Sequence, residues 1–80
     1  MARFIIEHRH EAHECSIVFA SFKGHVSPLR REAAPASCRF GGHAIWWTVE
    51  AADGEEALAG LPRYVAERSR ATRVADVLIP

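Results

Sequence analysis

The chain has 80 residues, 49% hydrophobic and 25% charged, the proportions of an ordinary globular protein. Ten basic residues cancel ten acidic ones, and all the basic ones but Lys23 are scattered arginines, so the basic stripe of a nucleic-acid-binding surface is missing. The apolar run in MARFIIEHRH is too short for a signal peptide and no segment is long enough to span a membrane; the expectation is a cytoplasmic protein with reduced thiols.

A single domain over residues 1–80 is expected. So short a chain buries only a little over ~60% of its unfolded surface, and a metal, a disulfide or a partner subunit usually completes its stability. Residues 3–10 alternate around the apolar centre Phe4-Ile5-Ile6 and read as a first strand. From Ala12 the period changes. Cys15, Val18, Phe19 and Phe22 stand at i, i+3, i+4 and i+7, one stripe of a helix that Gly24 closes after about Lys23. Ser27-Pro28 suits a short capped turn, and REAAPAS reads as loop.

Gly41-Gly42, between two β-like runs, predicts a two-residue hairpin joining a second strand at residues 36–40 to a third at 43–51. Asp53 and Glu56 form an N-cap and N3 pair opening a second helix, with Leu58, Leu61 and Val65 on its buried face. Pro62 interrupts that helix, which restarts at PRYVAERS. The segment TRVADVLIP, residues 72–80, reads as a fourth strand. The order β-α-β-β-α-β predicts an α+β, ferredoxin-like domain with a four-stranded antiparallel sheet.

The stretch EHRHEAHEC crowds three histidines and a cysteine into nine positions. In the expected topology His10 ends the first strand, Cys15 lies in the first helical turn, and Cys38 and His43 flank the hairpin, all at one end of the domain. Alternation across the strands puts Cys38, Phe40, His43, Ile45, Trp47 and Val49 on one face, and Phe4, Ile6, His8 and His10 beside them. Diagonal neighbours on such a face are about 7 Å apart, within reach of a shared ion. His10, Cys15, Cys38 and His43 are therefore the candidate metal ligands. Two thiolates and two imidazoles suit tetrahedral zinc first, with nickel, copper or cobalt as alternatives.

Each residue also has a plainer reading. A free cysteine packs as a small apolar side chain. His8 and His13 read as surface residues or as partners of the ligands, and His25 as solvated. Trp47 belongs to the core, whereas Trp46 joins Ile5 and Thr48 on the opposite face of the sheet, where a homodimer packing sheet on sheet would cover it.

The pattern H-x4-C leading into a helix, then C-x2-G-x-H-x2-W-x2-VEA and a late LP, resembles a family of small uncharacterised bacterial proteins. The matching positions are His10, Cys15, Cys38, Gly41, His43, Trp46, Val49-Glu50-Ala51 and Leu61-Pro62. More distantly the chain is similar to a small ferredoxin-like nickel-binding family from actinobacteria. That resemblance implies a metal-binding dimer without known catalysis. The stretch from Gly24 to Ala36 departs from the pattern, being longer and richer in proline and arginine.

The function expected is thus metal binding, as a carrier, a sensor component or a zinc-stabilised domain. The alternative is a cofactor-free enzyme or small-ligand binder of the dimeric α+β barrel kind, with His10, His43 or Glu11 as acid–base groups. A third reading makes Cys15 a reactive thiol at a helix N-terminus with histidine as its base.

Overall fold

The computed structural model describes residues 1–80. Strand β1 (Ala2–Arg9) is the centre of a three-stranded antiparallel sheet, between β2 (Ala44–Ala51) and β3 (Ser69–Val74). Its alternation decides which of its side chains face the core. Phe4, Ile6 and His8 point inward and are buried, while Ile5 and Arg9 point outward and stay exposed. The ladders pair Ile6 with Trp47 on one side and with Ala71 on the other, so the inner face also carries Ile45, Trp47 and Val49 from β2.

Short helices cover that face. A 3-10 turn (Ala12–Glu14) runs into α1 (Cys15–Ala20), which sends Val18 into the core. The helix ends earlier than its periodicity suggests, and turns carry the chain to Gly24, whose φ of +76° is the left-handed exit expected of it. Helix α2 (Gly54–Ala59) opens as its sequence dictates: the Asp53 carboxylate accepts the Glu56 N–H at 2.8 Å, and the Glu56 carboxylate accepts the Ala52 N–H at 3.2 Å. Pro62 separates it from α3 (Arg63–Ala66), and Val65 from that last turn is completely buried. The apolar core is Phe4, Ile6, Val18, Ile45, Trp47, Ala51, Ala57, Leu61 and Val65, a small set for the whole chain. No helix is long and apolar enough to cross a membrane.

The sheet corrects the four-stranded ferredoxin-like expectation. Residues 36–40 do not form a strand. Only Ala36 bridges to Ile45, with the Trp46 N–H on the Pro35 carbonyl at 2.9 Å and the Ser37 N–H on the Ala44 carbonyl at 2.8 Å. Then the chain coils. The Ser37 carbonyl accepts the N–H groups of Phe40 and Gly42, and Cys38–Phe40 becomes a 3-10 turn. Gly41 and Gly42 serve that coil rather than a two-residue hairpin. Gly41 closes the turn at φ +84°, and a Cβ on Gly42 would lie 2.4 Å from the Ser37 hydroxyl oxygen. Phe40, expected on the inner face, is consequently 86% exposed.

The last strand is also displaced. It starts at Ser69, separated from α3 by two residues, and ends at Val74, which pairs with Arg3 one residue short of the start of β1. Val77, Leu78 and Ile79 lie beyond it, exposed. His25 is half-buried rather than solvated, with Nε2 3.2 Å from the Gly60 carbonyl. Trp47 is in the core as expected. Trp46 is half-covered on the outer face, where its indole N–H donates to Glu7 at 3.2 Å.

Candidate metal centre

The β1–β2 register places Arg9 opposite Ala44, and the next pair outward is His10 and His43. One more backbone bond, His10 N–H to the His43 carbonyl at 3.1 Å, holds those two residues together just past the end of the ladder. Their rings lie 5.3 Å apart. Cys15 opens α1 directly after the 3-10 turn, and Cys38 opens the coil that replaces the missing strand. One potential ligand atom from each of His10, Cys15, Cys38 and His43 lies within 4.8 Å of the others. The expected quartet is therefore together. Its geometry comes from the pairing of β1 with β2 and from a 3-10 turn, not from diagonal neighbours across a hairpin.

Such a group is compatible with metal binding. His10 is buried and the other three are half-buried, so the cluster sits at the sheet end near the surface. Both cysteines are free thiols. Nδ1 of His43 is the only buried side-chain nitrogen or oxygen without a hydrogen-bond partner. Leaving such an atom unsatisfied costs about 1–3 kcal/mol. His43 is also held at φ +48°, a left-handed conformation unusual for a side-chain-bearing residue.

His8, completely buried beside the quartet, determines the tautomer of His10. His8 Nδ1 lies 3.2 Å from the Val65 carbonyl oxygen, which can only accept, so Nδ1 carries the proton. The Ser69 hydroxyl already donates to that carbonyl at 2.6 Å, so its oxygen is free to accept from His8 Nδ1 at 3.0 Å. Burial holds the His8 and His10 rings below the ordinary imidazole pKa, so both are neutral, and Nε2 of His8 is left with a lone pair. That lone pair accepts from Nδ1–H of His10 at 2.9 Å. Nε2 of His10 is then the nitrogen with the free lone pair, and it faces the Cys38 sulfur at 3.6 Å. Burial, reinforced by the adjacent Cys15 thiol, pushes the Cys38 thiol up, so in the absence of an ion it stays protonated beside that nitrogen. Alternation along β1 already placed His8 on the inner face; its bonds to Val65 and Ser69 left no mark in the sequence.

A second network positions Cys15. The Glu14 carboxylate accepts from the Glu11 N–H at 3.0 Å, the Tyr64 hydroxyl at 2.6 Å and Arg68 Nε at 2.8 Å, tying the turn before Cys15 to the α3 region. The Arg68 guanidinium also stacks 3.7 Å from the centre of the Tyr64 ring. The only local signs of this clamp were the Glu11–Glu14 and Tyr64–Arg68 spacings. His13 and Glu11 are exposed and lie outside the quartet.

The clamp predicts a pH dependence. The Glu11 N–H, then Tyr64 and Arg68, hold the Glu14 carboxyl down to about 2 from an ordinary value of 4.5. A folded-state pKa below the unfolded one stabilises the protein fully above about pH 4.5 and loses that effect as the pH falls toward about 2. Metal-free protein is the right sample, because thiolates and imidazoles also release ions in acid. The melting temperature of the parent should exceed that of Glu14→Gln by a constant margin above pH 5, about half a unit past the ordinary carboxylate value, and converge on it in acid. A margin that persists unchanged at pH ~2.5 would show that the carboxylate charge is not what holds the turn.

No family model, curated protein or solved structure matches the chain.

Proposed function

We propose that the protein is a metal-binding protein holding one zinc ion through His10, Cys15, Cys38 and His43. The observation that supports this most directly is the unpartnered, buried Nδ1 of His43 inside a group whose other members already converge within 4.8 Å. Two thiolates and two neutral imidazoles neutralise a divalent cation and complete a tetrahedron, which leaves no open position for a substrate and argues for binding rather than catalysis. His10 would bind through Nε2, its Nδ1–H being committed to His8. Nickel(II), cobalt(II) and copper(I) suit the same donors, and zinc is favoured by four-coordinate mixed sulfur and nitrogen ligation.

The ion would also act as a staple. Its ligands come from the end of β1, the start of α1 and the coil before β2, and the chain between Cys15 and Cys38 has little regular structure beyond α1. Half-exposed cysteines would let the ion exchange, as a carrier or sensor component requires, and reduced thiols suit a cytoplasmic setting. A homodimer is part of the proposal, for which the support is the exposed Ile5 beside the half-covered Trp46 on the outer face of the sheet.

Native mass spectrometry with elemental analysis of untagged protein tests all of this together. The expected result is one zinc per chain in a dimer, with zinc absent from Cys15→Ser and Cys38→Ser. Stoichiometric metal in both serine variants would rule out the quartet, and a monomer at high concentration would rule out the dimer alone. A second reading has an observation of its own: a cleft of about 210 Å³ bordered by Phe19, Phe22, Leu29, Ile45 and Trp47, whose charged lining is Arg30, Arg31 and Glu32, one positive charge in excess. A small apolar anion fits that description. A protein that holds no metal yet changes its tryptophan fluorescence with such an anion would move this reading ahead.

A further inference from the structure

We infer that Cys15 and Cys38 form a redox-sensitive pair whose oxidation to a disulfide expels the metal ion. The inference rests on the zinc reading above and concerns how the same site is emptied. Cys15 and Cys38 are the only cysteines in the chain, so no other thiol in the molecule competes for either. Their sulfurs belong to a group lying within 4.8 Å, and a disulfide needs about 2.05 Å, so the closing movement is at most about 3 Å. Cys38 can supply that movement: it opens a single 3-10 turn that ends at Gly41. Cys15 is the better anchored partner, because Glu14 beside it is clamped by Tyr64 and Arg68. Both sulfur-bearing residues are half-exposed, which gives a small oxidant access.

The oxidant is a hydroperoxide, and the step balances with hydrogen peroxide as the simplest member. One thiolate attacks a peroxide oxygen, the O–O bond breaks, and a sulfenic acid forms with loss of one water after proton uptake. The second thiolate attacks the sulfenic sulfur, the S–S bond forms, and the departing hydroxide takes a second proton to leave as water. Two thiolates, one peroxide and two protons thus become one disulfide and two waters, with two electrons passing from sulfur to oxygen. The ion is not oxidised. It leaves as a divalent cation because His10 and His43 alone are too few ligands to hold it. The disulfide then closes the same stretch of chain that the ion closed, so metal and disulfide are alternative staples of one segment.

The test uses the zinc-loaded 80-residue chain treated with hydrogen peroxide, with free zinc followed by a chromogenic chelator, thiols counted, and the intact mass measured. The expected result is one zinc released per chain as both thiols disappear together. The mass should fall about 2 Da below the reduced metal-free chain, and zinc uptake should return after dithiothreitol. The oxidised, zinc-free chain should melt above the reduced, zinc-free chain; equal melting temperatures would overturn the alternative staple. Retained zinc, a disulfide between chains, or a mass gain of about 32 Da from sulfinic acid would overturn the inference while leaving the zinc site standing. A parent that never takes up zinc would overturn both, so the two failures are distinguishable.

Discussion

Cys38→Ser should abolish tight zinc binding and lower the melting temperature of the metal-loaded protein by on the order of 10 °C or more. A ligand that binds only the folded chain stabilises it by about 2.7 kcal/mol at a free concentration one hundred times its dissociation constant. For a chain of this size about 1 kcal/mol corresponds to roughly 4–8 °C, which sets the expected shift. The underlying affinity is ample, since structural zinc sites in small peptides are worth ~10 kcal/mol, comparable to the whole stability of a small domain. Serine keeps the volume of cysteine but supplies a poor ligand, so the comparison isolates the sulfur. The same logic fixes the response to a strong chelator: the parent should drop toward the variant, and the variant should hardly move. His13→Ala removes an exposed histidine outside the quartet and should change neither quantity. Thermal melts of all three proteins with and without chelator decide it. A parent indifferent to chelator would mean that the cysteines are packing residues.

The second large effect is expected at His8, which would reach a bound ion only through His10. His8→Phe fills the buried space but removes the acceptor for Nδ1–H of His10. An imidazole ligand without its outer partner loses orientation and basicity, and such losses typically weaken metal binding by about 10–100-fold. His8→Gln retains an acceptor and a donor and should recover part of that loss. His8→Ala adds a cavity, with a stability cost of about 2–5 kcal/mol by analogy with other large-to-small core substitutions. Ser69→Ala should have a smaller effect, because the Val65 carbonyl still accepts from His8 Nδ1 and preserves the tautomer. Zinc affinities from competition titration, with the visible spectrum of the cobalt(II) form as a report on ligand geometry, separate a positioning effect from a folding one. If His8→Phe folds and binds zinc as tightly as the parent, the hydrogen bond to His10 is incidental.

The expected fold failed at one segment, for a definite reason. Residues 36–40 are bordered by turn residues on both sides, and Gly41-Gly42 reads equally as a hairpin turn or as the close of a coil. The Ser37 carbonyl decides between them by accepting two N–H groups from the coil, and Gly42 leaves room for the Ser37 side chain. The bond from Ala44 N–H to the Ser37 hydroxyl, 3.0 Å, secures the coil to β2. Neither preference is visible until the chain is folded. The quartet nevertheless assembled, because His10 and His43 owe their proximity to the β1–β2 register and not to the missing strand.

By itself the sequence determined which side chains share a face and where the chain changes direction. Alternation put Phe4, Ile6 and His8 on one side of β1, with His10 just past its end. The stripe of Cys15, Val18, Phe19 and Phe22 set the inner side of α1 except at Phe19, which is half-exposed, and Asp53, Pro62 and Gly24 punctuated the helices. These are short-range effects, governed by two or four residues of spacing and by local sterics. Tertiary structure alone decided which strand lies beside which, that only three strands form, that His8 bonds to Val65 and Ser69, and that Glu14 is clamped by Tyr64 and Arg68. Those contacts join residues more than forty positions apart, and a periodic pattern specifies the face a side chain occupies without specifying the partner it meets there.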